Sequence, residues 1–150
     1  MNRFEFLSID AFQEFEKEIA LLDLDCFPTR TWDLKQWLTL FQNYQLKVLL
    51  AFWEEKVVGF TAFSNIENES ELFKIGVKKV VRKTSMGSQM IKKMIGFLQN
   101  QKTDFVFLEV RSDNQNAIKL YSKFHFKLID RRKGYYQNPP CDALVYRLEI

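Results

Sequence analysis

Apolar residues recur at helical spacing early in the chain. Phe12, Phe15, Ile19 and Leu22 fall on one face of a segment from Asp10 to Leu24, which predicts an amphipathic helix. Pro28 breaks the chain. A second helix follows, with Thr31 as its cap and Leu34, Trp37, Leu38 and Phe41 on one face. The period then shortens. Val48 to Trp53 and Val57 to Phe63 read as strands, joined as a hairpin by the polar Glu54-Glu55-Lys56. Asn65 to Ser70 is a polar turn, and Leu72 to Val77 is a further strand. A polar loop, Lys78 to Ser85, leads into a helix whose buried stripe is Met90, Ile91, Met94, Ile95 and Leu98. Phe105 to Val110 is nearly all apolar, the pattern of a strand covered on both faces. Asn114 opens a last helix with Ala117, Ile118 and Tyr121 on one side. Phe126 to Asp130 and Ala143 to Leu148 close the chain as strands. Two helices, a run of strands and then strand–helix crossovers predict a mixed α/β sheet with helices on its faces.

The chain has 150 residues, room for one domain and not for two ordinary ones, so 1–150 reads as a single domain. Hydrophobic residues at 47% and charged residues at 27% exclude disordered and low-complexity classes. No apolar run approaches the roughly 20 residues that a membrane span needs. The start, MNRFEFLSID, lacks the basic-then-apolar pattern of a signal peptide. Cys26 and Cys141 form neither a metal spacing nor a disulfide framework. The expectation is a reduced, cytoplasmic protein without metal or membrane contact, a monomer or weak dimer.

The net charge of +3 changes little, but its distribution matters. Acids crowd the first helix. No acid lies between Leu72 and Thr103, where Lys74, Lys78, Lys79, Arg82, Lys83, Lys92, Lys93 and Lys102 fall. Such a field attracts an anion, phosphate above all. The loop ahead of Gly87 joins a strand to a helix start, whose free N–H groups and dipole suit a pyrophosphate. Neither GxxxxGK[ST] nor GxGxxG is present, so this is not a Walker or Rossmann loop. No nucleic-acid recognition motif accompanies the basic stretch.

Arg82-x-x-Ser85-x-Gly87 resembles the R/Q-x-x-G-x-G/A loop of the GCN5-related N-acetyltransferases (GNAT), with Ser85 in place of the first Gly. Leu108-Glu109-Val110-Arg111-x-x-Asn114-x-x-Ala117-Ile118-x-Leu120-Tyr121 resembles the same superfamily in its RimI-type branch, which acetylates a ribosomal-protein N-terminus. Phe27-Pro28, Leu72-Phe73-x-Ile75-x-Val77, Arg131-Arg132-x-x-Tyr135-Tyr136 and Asp142-Ala143 extend the likeness from about Cys26 to the C-terminus. The resemblance implies a mostly antiparallel central sheet with helices on both faces and an acetyl-CoA cleft between splayed central strands.

It also implies roles. Glu109 would be the general base and Tyr121 the acid that protonates the leaving sulfur. The backbone of Ile75, Gly76 and Val77 would pair with the pantetheine arm. Arg82, Lys83, Thr84, Ser85, Met86, Gly87 and Ser88 would cradle the pyrophosphate. Asn114 would contact the cofactor, cap its helix, or both. Tyr135 and Tyr136 would cover the acceptor from a loop before the last strand. His125 stands where the family has Gly, at a left-handed helix end, and reads as structural. Three functions follow: direct acetyl transfer to a protein N-terminal α-amine, transfer to a lysine, polyamine or other small amine, or a non-catalytic module that binds acetyl-CoA.

Overall fold

The computed structural model describes residues 2–150. Its elements are β1 (Asn2–Leu7), α1 (Ile9–Cys26), α2 (Leu34–Asn43), β2 (Lys47–Trp53), β3 (Lys56–Phe63), β4 (Glu69–Val77), α3 (Met86–Asn100), β5 (Phe105–Arg111), α4 (Gln115–Lys123), β6 (Lys127–Tyr136) and β7 (Cys141–Glu149). They build one seven-stranded sheet in the order β1-β2-β3-β4-β5-β7-β6, antiparallel everywhere except between β4 and β5. No helix among the described residues is long and apolar enough to cross a membrane.

Hydrophobic spacing decides which face each helix covers. Phe12, Ile19 and Leu22 of α1 and Trp37 of α2 bury against Val48, Leu50, Phe60 and Ala62. On the opposite face, Ile91, Met94 and Leu98 of α3 and Tyr121 of α4 pack on Leu72, Val106, Leu108, Val110 and Leu144. Met86 and Met90 extend that layer over Leu49, Ala51 and Val58.

Two expectations need correction, and one strand was not expected. Asn2–Leu7 pairs with β2 as an edge strand, although its apolar positions are too few to announce it beside the longer helix that follows. The cap of α2 is Asp33, not Thr31. Asp33 accepts from Gln36 N at 2.8 Å while the Gln36 side chain accepts from Asp33 N, a reciprocal capping box. β6 continues through Tyr135 and Tyr136, which therefore close a strand rather than lie in a loop. The hairpin at Glu54-Glu55 is present, with both residues at positive φ, the twist that two-residue hairpins prefer.

β4 positions the site. Ala62 pairs with Lys74 but Phe63 pairs with Leu72, so Phe73 has no partner and forms a bulge. A bulge bends its strand and sharpens its twist. The parallel pairing of β4 with β5 ends at this point, at Leu72 opposite Leu108. Beyond it the two strands part, and residues 73–77 keep only β3 as a neighbour.

Candidate active site

The gap between the strands exposes backbone. Lys78 N donates to Val58 O at 2.8 Å, so Lys78 faces β3. By the period of two, Gly76 faces the same way, and Ile75 and the Val77 N–H turn to the open edge, where Val77 O is taken by Arg82. An extended ligand arm can pair there as an added strand. Gly76 itself has no room to spare: a Cβ would lie 2.9 Å from the Phe60 ring and 3.0 Å from Cys26 Sγ.

At the end of β4 the chain makes one 3₁₀ turn, Lys79–Val81, and then the basic loop. Lys83 and Ser85 both have φ of 64°. Ser85 is the N-cap of α3 in the left-handed region, which is the conformational reason a glycine suits this position. It makes no side-chain cap, and its Oγ instead accepts from Gln89 Nε2 at 3.0 Å. The first N–H groups of α3 therefore stay free for an anion. A Cβ on Gly87 would meet only Leu120 Cδ2 at 3.4 Å, so the space over that residue is left for a ligand rather than filled by protein. The open edge, the free N–H groups and the bare Gly87 together fit a pantetheine pyrophosphate.

Two charges nearby behave unlike the sequence expectation. Arg82 folds back, donating from Nε to Val77 O at 2.9 Å, and so braces the end of β4. Lys123, which sequence reasoning missed, donates to Ser88 Oγ at 3.1 Å and brings a cation from α4 to the start of α3. Ser85→Gly is expected to leave Tm within about 3 °C of wild type, because relief of the left-handed strain offsets the extra freedom of the unfolded chain. Ser85→Val, β-branched at positive φ, is expected to cost about 1–3 kcal/mol. Thermal melts with and without acetyl-CoA check both, and Ser85→Val should also shrink the shift that acetyl-CoA produces.

Glu109 and Tyr121 lie on opposite faces of the sheet. Glu109 alternates with Leu108 and Val110, which bury toward α3 and α4, so its carboxylate projects from the other face. Its partner is Arg132, at 3.3 Å, rather than the neighbouring Arg111. Arg111 is held by Asp113 at 3.0 Å and by Pro139 O at 2.8 Å, which tethers β5 to the β6–β7 turn. Tyr121 is buried in the core on α4, and burial, with Tyr136 adding to it, pushes its hydroxyl well above the ordinary phenol value. It stays protonated at every working pH and is a standing donor. Asn114 caps α4, its Oδ1 accepting from Ala117 N at 3.2 Å. His125 has φ of 68°. Its N–H bonds Ser122 O and that of Phe126 bonds Tyr121 O, a complete left-handed helix stop just below the tyrosine.

The rim on the Glu109 side joins two remote loops. Arg30, between α1 and α2, lies over the Tyr136 ring at 4.9 Å, and Arg111 lies 5.2 Å from the same ring. Tyr136 is buried and its hydroxyl is pushed up by that burial, while Tyr135 stands exposed, edge-on to it. The Arg30 loop is anchored from below by a buried ion pair, Lys74 Nζ to Asp23 Oδ1 at 2.7 Å. Lys74 also donates to Arg30 O at 2.6 Å, and Asp23 accepts from Trp32 N at 2.8 Å. Glu71, one residue before Leu72 on β4, also belongs to this rim. Partial burial and the Glu109 charge raise its carboxyl above the ordinary value. Sequence reasoning missed Glu71, Arg30 and Asp23, because strand register and the Lys74 contacts, not local spacing, place them on this rim.

Comparison with known proteins agrees with this geometry. Residues 10–126 match the model of the acetyltransferase (GNAT) family. A probable N-acetyltransferase, san, of Drosophila melanogaster is 31% identical over 102 residues, 64% of this chain and 55% of that protein. The ribosomal protein bS18-alanine N-acetyltransferase of Haemophilus influenzae is 31% identical over 84 residues, 56% of this chain and 57% of that one. The matches thus span little more than half the length of these relatives. The crystal structure of the ribosomal-protein-S18-alanine N-acetyltransferase from Escherichia coli superposes with a TM-score of 0.88 at 22% identity, over 100% of this chain and 94% of that one.

Proposed function

Because the chain belongs to the acetyltransferase (GNAT) family, we propose that it is an acetyl-CoA-dependent N-acetyltransferase whose acceptor is a protein N-terminal α-amine, with residues 1–150 acting as one catalytic domain. The observation that supports this reading is the parted β4–β5 edge, with a partly exposed carboxylate on one face of the adjoining strand and a buried, protonated phenol on the helix covering the other. Relatives that modify the N-terminal alanine of bS18 support the choice of acceptor.

Acetyl-CoA, held along the Ile75–Val77 edge and at the start of α3, supplies an acetyl thioester at the gap. The residues do the rest. An N–H of the open β4 edge is placed to donate to the carbonyl oxygen as negative charge grows on it. Glu109 accepts a proton from the attacking nitrogen. Tyr121 donates a hydrogen bond toward the departing sulfur, a role that a high pKa favours because the phenol is never ionised. The acceptor enters on the Glu109 side, between the Arg30 loop and Tyr135–Tyr136. Cys26, half-buried beside Gly76, donates to Val77 O, and Cys141 donates to Asp142 O; neither thiol is assigned as a nucleophile, and transfer is direct.

Thiol release from acetyl-CoA tests the acceptor. A peptide with a free α-amine is expected to be acetylated. The same peptide blocked at its N-terminus but carrying internal lysines, and a polyamine, are expected to react at least tenfold more slowly. Preferred reaction of the lysine or polyamine would move the protein to a side-chain or small-amine acetyltransferase.

A further inference from the structure

We propose that Arg30 is a carboxylate-binding residue at the entrance to the acceptor site, and that the acceptors this protein selects carry an acidic side chain within their first three residues. The proposal rests on the N-terminal transfer inferred above and specifies which N-termini the site takes.

The rim on the Glu109 side holds three arginines, and two of them already have a carboxylate. Arg111 pairs with Asp113 at 3.0 Å and Arg132 with Glu109 at 3.3 Å. Arg30 pairs with no carboxylate among the described residues. Glu71, the other acid of the rim, has Glu109 and Arg132 as its charged neighbours. A guanidinium stays charged at every working pH, so the Arg30 charge is left for a ligand or for water. An arginine that only faces water needs nothing to hold it, whereas Arg30 is held at both ends.

Its backbone is clamped from below. Arg30 N donates to Phe27 O at 3.0 Å, and Arg30 O accepts from Lys74 Nζ at 2.6 Å. Lys74 is fixed in turn by Asp23 at 2.7 Å, and Asp23 also accepts from Trp32 N at 2.8 Å. One buried ion pair therefore grips the loop at Arg30 and again two residues later. At the other end, the guanidinium lies 4.9 Å from the Tyr136 ring and 5.8 Å from the Phe27 ring. A ring attracts the cation without neutralising it, and the planar fork of N–H donors stays available to a carboxylate. A side chain ordered before its ligand arrives loses less freedom on binding.

Tyr136 connects this charge to the reacting end of the acceptor. Burial raises its hydroxyl, the Arg30 charge opposes the rise and the Glu109 charge adds to it, so one side chain has both the guanidinium and the proposed base for neighbours. An α-amine that reacts at Glu109 therefore brings the residues behind it past Arg30. An extended chain advances about 3.3 Å per residue, so three residues cover about 10 Å, and an aspartate or glutamate in that stretch reaches a guanidinium beside Tyr136. An acid there completes the one open ion pair of the rim, and a lysine or arginine meets a like charge. Such pairing acts on choice of partner more than on total affinity.

Peptide selectivity tests the assignment on the full chain with acetyl-CoA. The peptides have a free α-amine and differ only in carrying Glu, Gln or Lys at residue 1, 2 or 3. At one of these positions wild type is expected to prefer Glu to Gln by about fivefold in kcat/KM, the upper end for an exposed ion pair. The preference should reside in KM and fade as salt is raised. Arg30→Gln should bring the Glu-to-Gln ratio to about one, and Arg30→Lys should keep part of it. Arg30→Glu should turn the preference toward Lys, an inversion that a loosened loop does not produce. Each ratio is read within one variant, so a general loss of activity cancels. Equal use of Glu and Gln peptides by wild type at all three positions overturns the proposal, as does a preference that survives Arg30→Gln. Wild type that acetylates none of these peptides overturns the acceptor reading and this proposal with it.

Discussion

Glu109→Gln is expected to lower kcat by about 10²–10⁴-fold at pH 7, the usual contribution of a positioned general base. The substitution keeps the shape of the side chain beside Arg132, now 3.3 Å from the carboxylate. It removes only the ability to take a proton as the bond to nitrogen forms. Raising the pH supplies neutral amine but does not replace that base, so the loss should persist from pH 6 to pH 9. Tyr121→Phe should also be slow at all pH values, but for another reason: it takes away the donor toward sulfur. It also leaves the ring in its packing against Phe126, so stability should hold. Steady-state rates across the pH range, with acetyl-CoA affinity measured alongside, check both. Parallel losses of rate and acetyl-CoA affinity in Glu109→Gln and Tyr121→Phe would mean that both residues pack rather than catalyse.

Glu109 and Tyr121, the proposed pair, could be named from the sequence through the family likeness and the places they hold. Glu109 is the one acid in an apolar strand, and Tyr121 sits on the buried stripe of a helix opened by Asn114. The stop at His125 was legible for a similar reason, since the helix end needs a left-handed residue whatever side chain stands there. The rim was not legible. Glu71 lies in the polar approach to β4, and its meaning depends on a parallel register with a strand 36 residues away in sequence. Arg132 was expected only as part of the Arg131-Arg132-x-x-Tyr135-Tyr136 likeness, and its distance to Glu109 follows from β6 pairing outside β7. β1 was missed because six residues with weak alternation become a strand only when β2 offers an edge. Local spacing carries the elements, whereas long-range pairing decides which charges meet.

Asp23→Ala is expected to destabilise the fold by about 3–5 kcal/mol, the cost of leaving one member of a buried ion pair without the other. For a chain of this length that is roughly 6–20 °C in Tm. Lys74 has only 6% of its side chain exposed and Asp23 none, so water cannot replace the lost carboxylate. Burial already lowers the Lys74 pKa, and the Asp23 charge is what holds the ammonium in place. The Trp32 and Phe27 rings, 4.1 and 5.0 Å from Nζ, attract the cation too weakly to substitute. Replacing both partners, as in Asp23→Leu with Lys74→Met, removes the charge as well as its partner. It should recover much of the lost stability, and thermal melts of the single and double variants form the test. A single variant that melts within 3 °C of wild type would show that the pair contributes little. Function should respond separately. Asp23 Oδ2 holds Trp32 N and Lys74 holds Arg30 O, so both variants free the loop that carries Arg30 to Tyr136. At a temperature where the double variant is folded, KM for the acceptor peptide should therefore rise while KM for acetyl-CoA, bound along the Ile75–Val77 edge and α3, stays near wild type.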